Sequence, residues 1–171
     1  MSLQLGWLAC VIGVAHGHAW LGPLFVLAAL AVHVGFRPPG ARALEVCVLA
    51  LTALLGVLVD TCLLREGVIA IKGAVSSPAW LVALWPNAAA ATAPGGSLVA
   101  LARRPLLAVL VGAVAAPASY VAGARLGAIA LDGDRPRALA IIAIVWAAVL
   151  PAFFALRTHL GTRVLSARRP P

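Results

Sequence analysis

From Val46 to Val59 every residue is apolar except Thr52, and the run ends on Asp60. This constrains the fold more than any other feature of the chain. A helix rising 1.5 Å per residue needs about 20 apolar residues to cross a hydrocarbon layer of ~30 Å. Ala43–Leu64 therefore reads as a membrane span that carries an acid inward. A carboxylate costs about 2.5–3.5 kcal/mol at the centre of such a helix and less near its end, so Asp60 needs a partner or a role. It is read either as a functional acid or as a packing device that hydrogen-bonds a neighbouring helix or Arg125.

The rest of the chain has the same character. Of its 171 residues 63% are hydrophobic and 11% charged, with mean hydropathy +1.05. Soluble domains average about 45–50% apolar and about 25% charged residues. The length suits one integral membrane domain with no separate soluble unit. The net charge of +8 does not point to nucleic acid. The basic residues lie between or after apolar runs, where they orient spans and meet anionic head groups. Cys10, Cys47 and Cys62 fall inside apolar segments without a C-x-x-C pattern and read as buried small hydrophobes. With Arg37 as the first basic residue, no cleavable signal peptide is expected.

Breaks divide the chain into about six spans, an all-α polytopic transmembrane bundle. Leu3–Phe36 lacks Asp, Glu, Lys and Arg, and His16-Gly17-His18-Ala19-Trp20-Leu21-Gly22-Pro23 splits it into spans near 3–15 and 20–36. Arg37-Pro38-Pro39-Gly40-Ala41-Arg42 is a turn before the span at 43–64. Pro86 and Pro94-Gly95-Gly96 interrupt the next segment, so the fourth span, 79–93, is expected to be kinked or partly re-entrant. Spans follow at 105–124 and 138–156, the latter kinked at Pro151, with Asp132-Gly133-Asp134 in the loop between them. Residues 157–171 read as a basic cytoplasmic tail. Small residues four apart at Ala115, Ser119, Gly123 and Gly127 form one stripe for close helix contact, and Gly13 and Gly17 form another.

Counting Lys and Arg by side favours the termini as cytoplasmic. Arg37, Arg42, Arg103, Arg104 and the tail outnumber Arg65, Lys72, Arg125, Arg135 and Arg137. In this threading His16, His18, Asp60, Tyr120 and Arg125 all fall towards the non-cytoplasmic side, with Asn87 about half-way down. The inner half is expected to be nearly pure hydrocarbon. The candidate site is an outward-facing polar pocket of Asp60, His16, His18, Asn87, Tyr120 and Arg125.

Each member also has a plain structural reading. His16 and His18 suit a loop, Arg125 a snorkelling anchor, and Tyr120 an interfacial aromatic. H-x-H with Asp60 falls short of a zinc site, and His33 and His159 make no haem pair, so neither metal nor cofactor is expected. There is no phosphate-binding Gly loop, no H-E-x-x-H and no G-x-S-x-G elbow. No complete catalytic constellation is present, and enzymatic activity is left open.

Six motifs together resemble an uncharacterised family of small multi-pass bacterial inner-membrane proteins, a domain of unknown function. They are Gly6-Trp7-Leu8-Ala9-Cys10, Ala15-His16-Gly17, Trp20-Leu21-Gly22-Pro23, Gly56-Val57-Leu58-Val59-Asp60, Trp80-Leu81-Val82-Ala83-Leu84-Trp85 and Pro117-Ala118-Ser119-Tyr120-Val121-Ala122-Gly123. The resemblance spans about Leu3 to Leu156. After Trp85 the chain departs from it, with Pro86, an alanine run and Pro94-Gly95-Gly96 before Ser97-Leu98. It implies a multi-pass inner-membrane location. Members tend to be encoded near genes for fatty-acid-modifying enzymes, which implies a lipid-linked role. The expected partners are membrane lipids, and a homo-oligomer or a membrane partner protein is a further expectation. Three functions fit: a lipid-associated protein with a polar pocket, a small oligomeric permease, or a non-catalytic accessory subunit.

Overall fold

The computed structural model describes residues 3–131 and 133–167, with side chains to Thr162. Asp132, Arg168, Arg169 and the side chain of Arg163 lie outside the described residues. Six helices make the fold: α1 (Leu3–Ala15), α2 (Leu21–Gly35), α3 (Pro39–Arg65), α4 (Ala79–Ala91), α5 (Pro105–Arg125) and α6 (Arg135–Ala167). Strands β1 (Ile69–Ala70) and β2 (Ala130–Leu131) pair antiparallel, and a 3₁₀ turn, Val99–Arg103, leads into α5. The protein is thus an all-α transmembrane bundle. Helices α3, α5 and α6 are long and apolar enough to cross a membrane, whereas α1, α2 and α4 are shorter apolar helices.

Local chemistry explains the helix ends. Asp134 Oδ1 accepts from the backbone N–H of Arg137 at 3.2 Å, which satisfies a free donor at the start of α6. At the far end of α1, the N–H of Gly17 bonds the Val14 carbonyl and that of His18 bonds Gly13, with Gly17 at φ 79°. Gly127 ends α5 in the same way, at φ 81°. This left-handed conformation is the one a glycine adopts after a helix at no steric cost. Neither glycine has an atom within 4 Å of a built Cβ, so both close helices and neither belongs to a packing stripe.

The centre of the bundle is α4. Trp80, Leu81 and every residue from Trp85 to Ala91 are buried, enclosed by α1, α2 and α3. The alanine run is what permits this, because small side chains let three helices close on one. At 13 residues, α4 rises roughly 20 Å, too little to cross the hydrocarbon alone. It stays helical through Pro86 and stops at Thr92, so it is a half-length helix sheathed in protein, the setting in which interrupted backbone is tolerated at membrane depth.

The long helices pack by shape. On α3 the buried residues Glu45, Val48, Leu49, Thr52, Gly56, Asp60 and Leu63 recur every three or four positions and form one face. On α5 the buried positions are Ala108, Gly112, Ala116, Tyr120 and Gly123. Gly112 sits directly against the backbone carbonyl of Trp146 on α6. The close-contact stripe therefore lies beside the expected one. Ala115 is exposed and Ser119 half-exposed, and only Gly123 of that set is buried. Gly13 packs near the His18 carbonyl, and Gly22 of α2 against the backbone of Cys10 in α1. Cys10 is the buried cysteine of the three, whereas Cys47 and Cys62 are exposed on α3, where a small apolar side chain suits lipid as well as a core.

Candidate functional site

Asp60 is wholly buried, and both its carboxyl oxygens are occupied. Trp85 Nε1 donates to Oδ2 at 2.7 Å, and the Tyr120 hydroxyl donates to Oδ1 at 3.1 Å. One acid on α3 thus holds an indole on α4 and a phenol on α5. Gly56, one turn earlier on α3, makes room for this, because a Cβ there would run into the Trp85 ring. Trp85 continues into an aromatic cluster, with ring centroids 5.0 Å from Trp146 and 6.2 Å from Phe153, both on α6.

This cluster backs a groove of about 470 Å³ between α1, α4 and α5. Leu3 and Leu98 lie at one end, Trp80, Gly123 and Ile129 at the other, and Trp7, Leu84, Trp85, Ala115 and Ser119 line it between. Asp60 lies behind Trp85 and Tyr120 and is not part of the lining. Among the lining residues, Asn87 Oδ1 is buried without a hydrogen-bond partner and packs against Gly6 of α1, while Trp146 Nε1 lies by the Tyr120 hydroxyl, its polar partner. The Asn87 amide nitrogen donates to the Leu3 carbonyl at 2.9 Å, at the terminal end of α1. Asn87 therefore sits towards the side of the termini and does not join Asp60.

The other expected members are elsewhere. His16 is exposed and bonds the Ile12 carbonyl through Nδ1 at 2.9 Å, and His18 and Arg125 are exposed near the ends of α1 and α5. Of the six, Asp60 and Tyr120 are in direct contact. Among the described residues no group of three His, Cys, Asp or Glu is placed to hold a metal ion.

A second polar cluster occupies the opposite end of α3, where hydrocarbon was expected. Glu45 is 3% exposed. Arg157 grips it with two charge-assisted bonds, Nη1 to Oε2 at 2.7 Å and Nη2 to Oε1 at 2.9 Å. His33 Nε2 lies 2.9 Å from Oε1, and Arg37 Nε is 3.6 Å from Oε2. Arg157 also donates to the Ala89 carbonyl at 2.8 Å and to the Thr92 hydroxyl at 2.9 Å. Its cation thereby serves the C-terminal, negative end of α4. Arg157 is accordingly a residue inside α6, which runs on to Ala167, and not the first residue of a tail.

Sequence reasoning missed this cluster because Glu45 lies one turn after Arg42, where a charge is ordinarily a boundary marker. The signal that was present is a Glu at the start of one apolar helix and an Arg near the end of another. The threading already put both on the same side of the membrane.

Comparison with curated proteins and with solved structures finds no match. A sequence profile described as "Protein of unknown function (DUF2878)" matches residues 1–152. That stretch includes both polar clusters except Arg157, and it agrees with the resemblance carried by the motifs around Trp7, Trp20, Asp60, Trp80 and Tyr120. The chain belongs to this family of unknown function.

Proposed function

We propose that this is a lipid-associated membrane protein that takes a single apolar chain into the groove between α1, α4 and α5. One observation carries the reading: the groove runs the height of the bundle, is walled by apolar side chains, and is lined by Asn87, whose buried Oδ1 has no hydrogen-bond partner. Buried polar groups are nearly always satisfied, so an unpartnered acceptor beside the groove favours a ligand that supplies the missing bond. The volume falls within the about 300–1,000 Å³ usual for small-molecule sites. Asn87 Oδ1 would accept from a hydroxyl of the ligand, and the apolar walls would hold its chain. Asp60 acts through Trp85 and Tyr120 as a positioning residue that fixes the shape of the wall. In this reading the protein sits in the bacterial inner membrane with both termini cytoplasmic, and its partners are lipids.

Native mass spectrometry of the gently solubilised protein tests it. Wild type is expected to keep a lipid adduct that Ala115→Phe, which fills the groove, excludes. The same adduct on both would refute the reading. A small permease is the second reading, favoured by the half-length α4 with a groove to each side of it. Asp60-dependent solute flux in proteoliposomes would select it.

A further inference from the structure

A second cavity, of about 540 Å³, lies on the α2 side of α4, towards the end of the bundle that holds Glu45, between α2, the start of α1 and the α4–α5 connection. We propose that it binds the phosphorylated head group of a membrane lipid, with Arg37 as the cation that receives it. The inference concerns a different site from the α1–α4–α5 groove and stands whether or not that groove is occupied.

The first reason is charge. Around Glu45 two guanidiniums share one carboxylate. Arg157 is the better matched, with four of its five N–H groups bonded: its Nη atoms hold both Glu45 oxygens, Nη2 also bonds the Ala89 carbonyl, and Nε holds Thr92. Glu45 Oε1 accepts from His33 as well. Arg37 is left with a carboxylate already taken. Its Nη1 bonds the Pro94 carbonyl at 2.9 Å, a neutral acceptor, and its Nε–H is buried with no hydrogen bond. The other described acids, Asp60, Glu66 and Asp134, all lie at the opposite end of the bundle. Glu45 is thus shared between two guanidiniums, and one positive charge is in excess. It rests on Arg37, whose Nε faces Glu45 at 3.6 Å and whose side chain is 16% exposed. A part-buried guanidinium is well matched by a phosphate or carboxylate.

The second reason is the shape and setting of the cavity. Arg37 and His33 line it together with Phe25, Ala28, Val32 and Pro94. Phe25 and Val32 are 42% and 58% exposed on α2, and Phe36 at the cavity mouth is 86% exposed. A cationic recess with an apolar wall open to the bilayer fits an anion carried on acyl chains better than a free ion. Arg42 lies beside it and holds the turn, donating to the Gly35 and Arg37 carbonyls at 2.9 and 3.1 Å.

The test is native mass spectrometry of the full chain in detergent with dioleoylphosphatidate and, separately, dioleoylglycerol, which has the same tails and no phosphate. Wild type is expected to retain phosphatidate about tenfold better, and Arg37→Gln to lose most of that preference, as expected for a charge-assisted pair. Arg42→Gln should change it less than about twofold, since that side chain serves backbone carbonyls. Should Arg37→Gln fail to fold, Ala28→Trp fills the cavity from its outer wall, leaves the charges in place, and is expected to abolish the preference. Three results would overturn the proposal: equal retention of the two lipids by wild type, unchanged preference in folded Arg37→Gln or Ala28→Trp, and displacement of phosphatidate by millimolar inorganic phosphate, which would make this a free-anion site.

Discussion

Replacing Arg157 with Met tests the energetic centre of the fold. The substitution keeps most of the side-chain volume and removes four hydrogen bonds, two to Glu45, one to the Ala89 carbonyl and one to Thr92. Breaking a buried ion pair by removing one partner costs about 3–5 kcal/mol, because the remaining charge stays desolvated. His33 and Arg37 remain near Glu45 and hold the loss to the lower part of that range. For a chain of this size each kcal/mol moves the midpoint by about 2–4 °C, so a fall of roughly 6–12 °C is expected. Thermal unfolding in detergent, followed by tryptophan fluorescence, reads it directly. The double variant Glu45→Leu/Arg157→Met removes both charges and should lose less than the sum of the single variants, with a coupling of about 2–3 kcal/mol. A drop below about 1 kcal/mol in Arg157→Met, or strict additivity in the double variant, would refute the view that this pair anchors α4.

Further outcomes follow from the close approaches. Gly22→Ala should destabilise strongly, because the new methyl meets the Cys10 backbone, which cannot step aside; a midpoint equal to wild type would show that α1 and α2 separate freely. Gly112→Val should loosen α5 from α6 in the same way, since it faces the Trp146 carbonyl, and faster hydrogen exchange in both helices would report it. Tyr120→Phe deletes one bond to Asp60 and is expected to cost about 1.5–3 kcal/mol if that acid is ionised and about 0.5–1.5 if it is neutral. The unfolding midpoint separates the two cases, and no loss at all would remove the phenol from the cluster.

The breaks between segments were legible because Gly, Pro and charge do not sit inside apolar helices at random. The breaks between α1, α2 and α3 fall within His16–Pro23 and Arg37–Arg42, although Leu21–Pro23 already open α2 and Pro39–Arg42 open α3. Asp60 was conspicuous as an acid after fourteen residues without charge. What could not be read was partnership. Asp60 binds Trp85 and Tyr120, at sequence separations of 25 and 60, while the histidines that shared its side of the membrane stay in their loop. Glu45 and Arg157 are 112 positions apart, and each alone looks like the edge of a span. The α5 stripe failed for a related reason. A small-residue repeat of four fits Ala115–Ser119–Gly123 and Ala108–Gly112–Ala116 alike, and the Trp146 backbone alone decides between them. The fourth span, 79–93, reads as kinked or partly re-entrant because Pro86 and Pro94-Gly95-Gly96 interrupt it, and the alanines between them carry no sign of their neighbours. Their smallness is what places them at the most crowded point of the bundle.

Three fastenings in a row tie the α5–α6 hairpin to α3 and the strand after it, beside the packing of Trp146, Phe153 and Arg157 on α4. At one end the two-residue ladder ties Ile69 to Leu131 and Ala70 to Ala130. Little more than a turn inward from there Tyr120 reaches Asp60, and at the other end Arg157 reaches Glu45. These three fastenings follow α3 as pins follow a door post, and the edge of α5 that faces α1 is the free edge of the door. A small swing about that post, with the Trp146 and Phe153 rings sliding on Trp85, would widen the slot between α1 and α5 and leave the three pins engaged. A long chain could then enter sideways from the bilayer, without the bundle unfolding and without its head ever leaving the membrane surface.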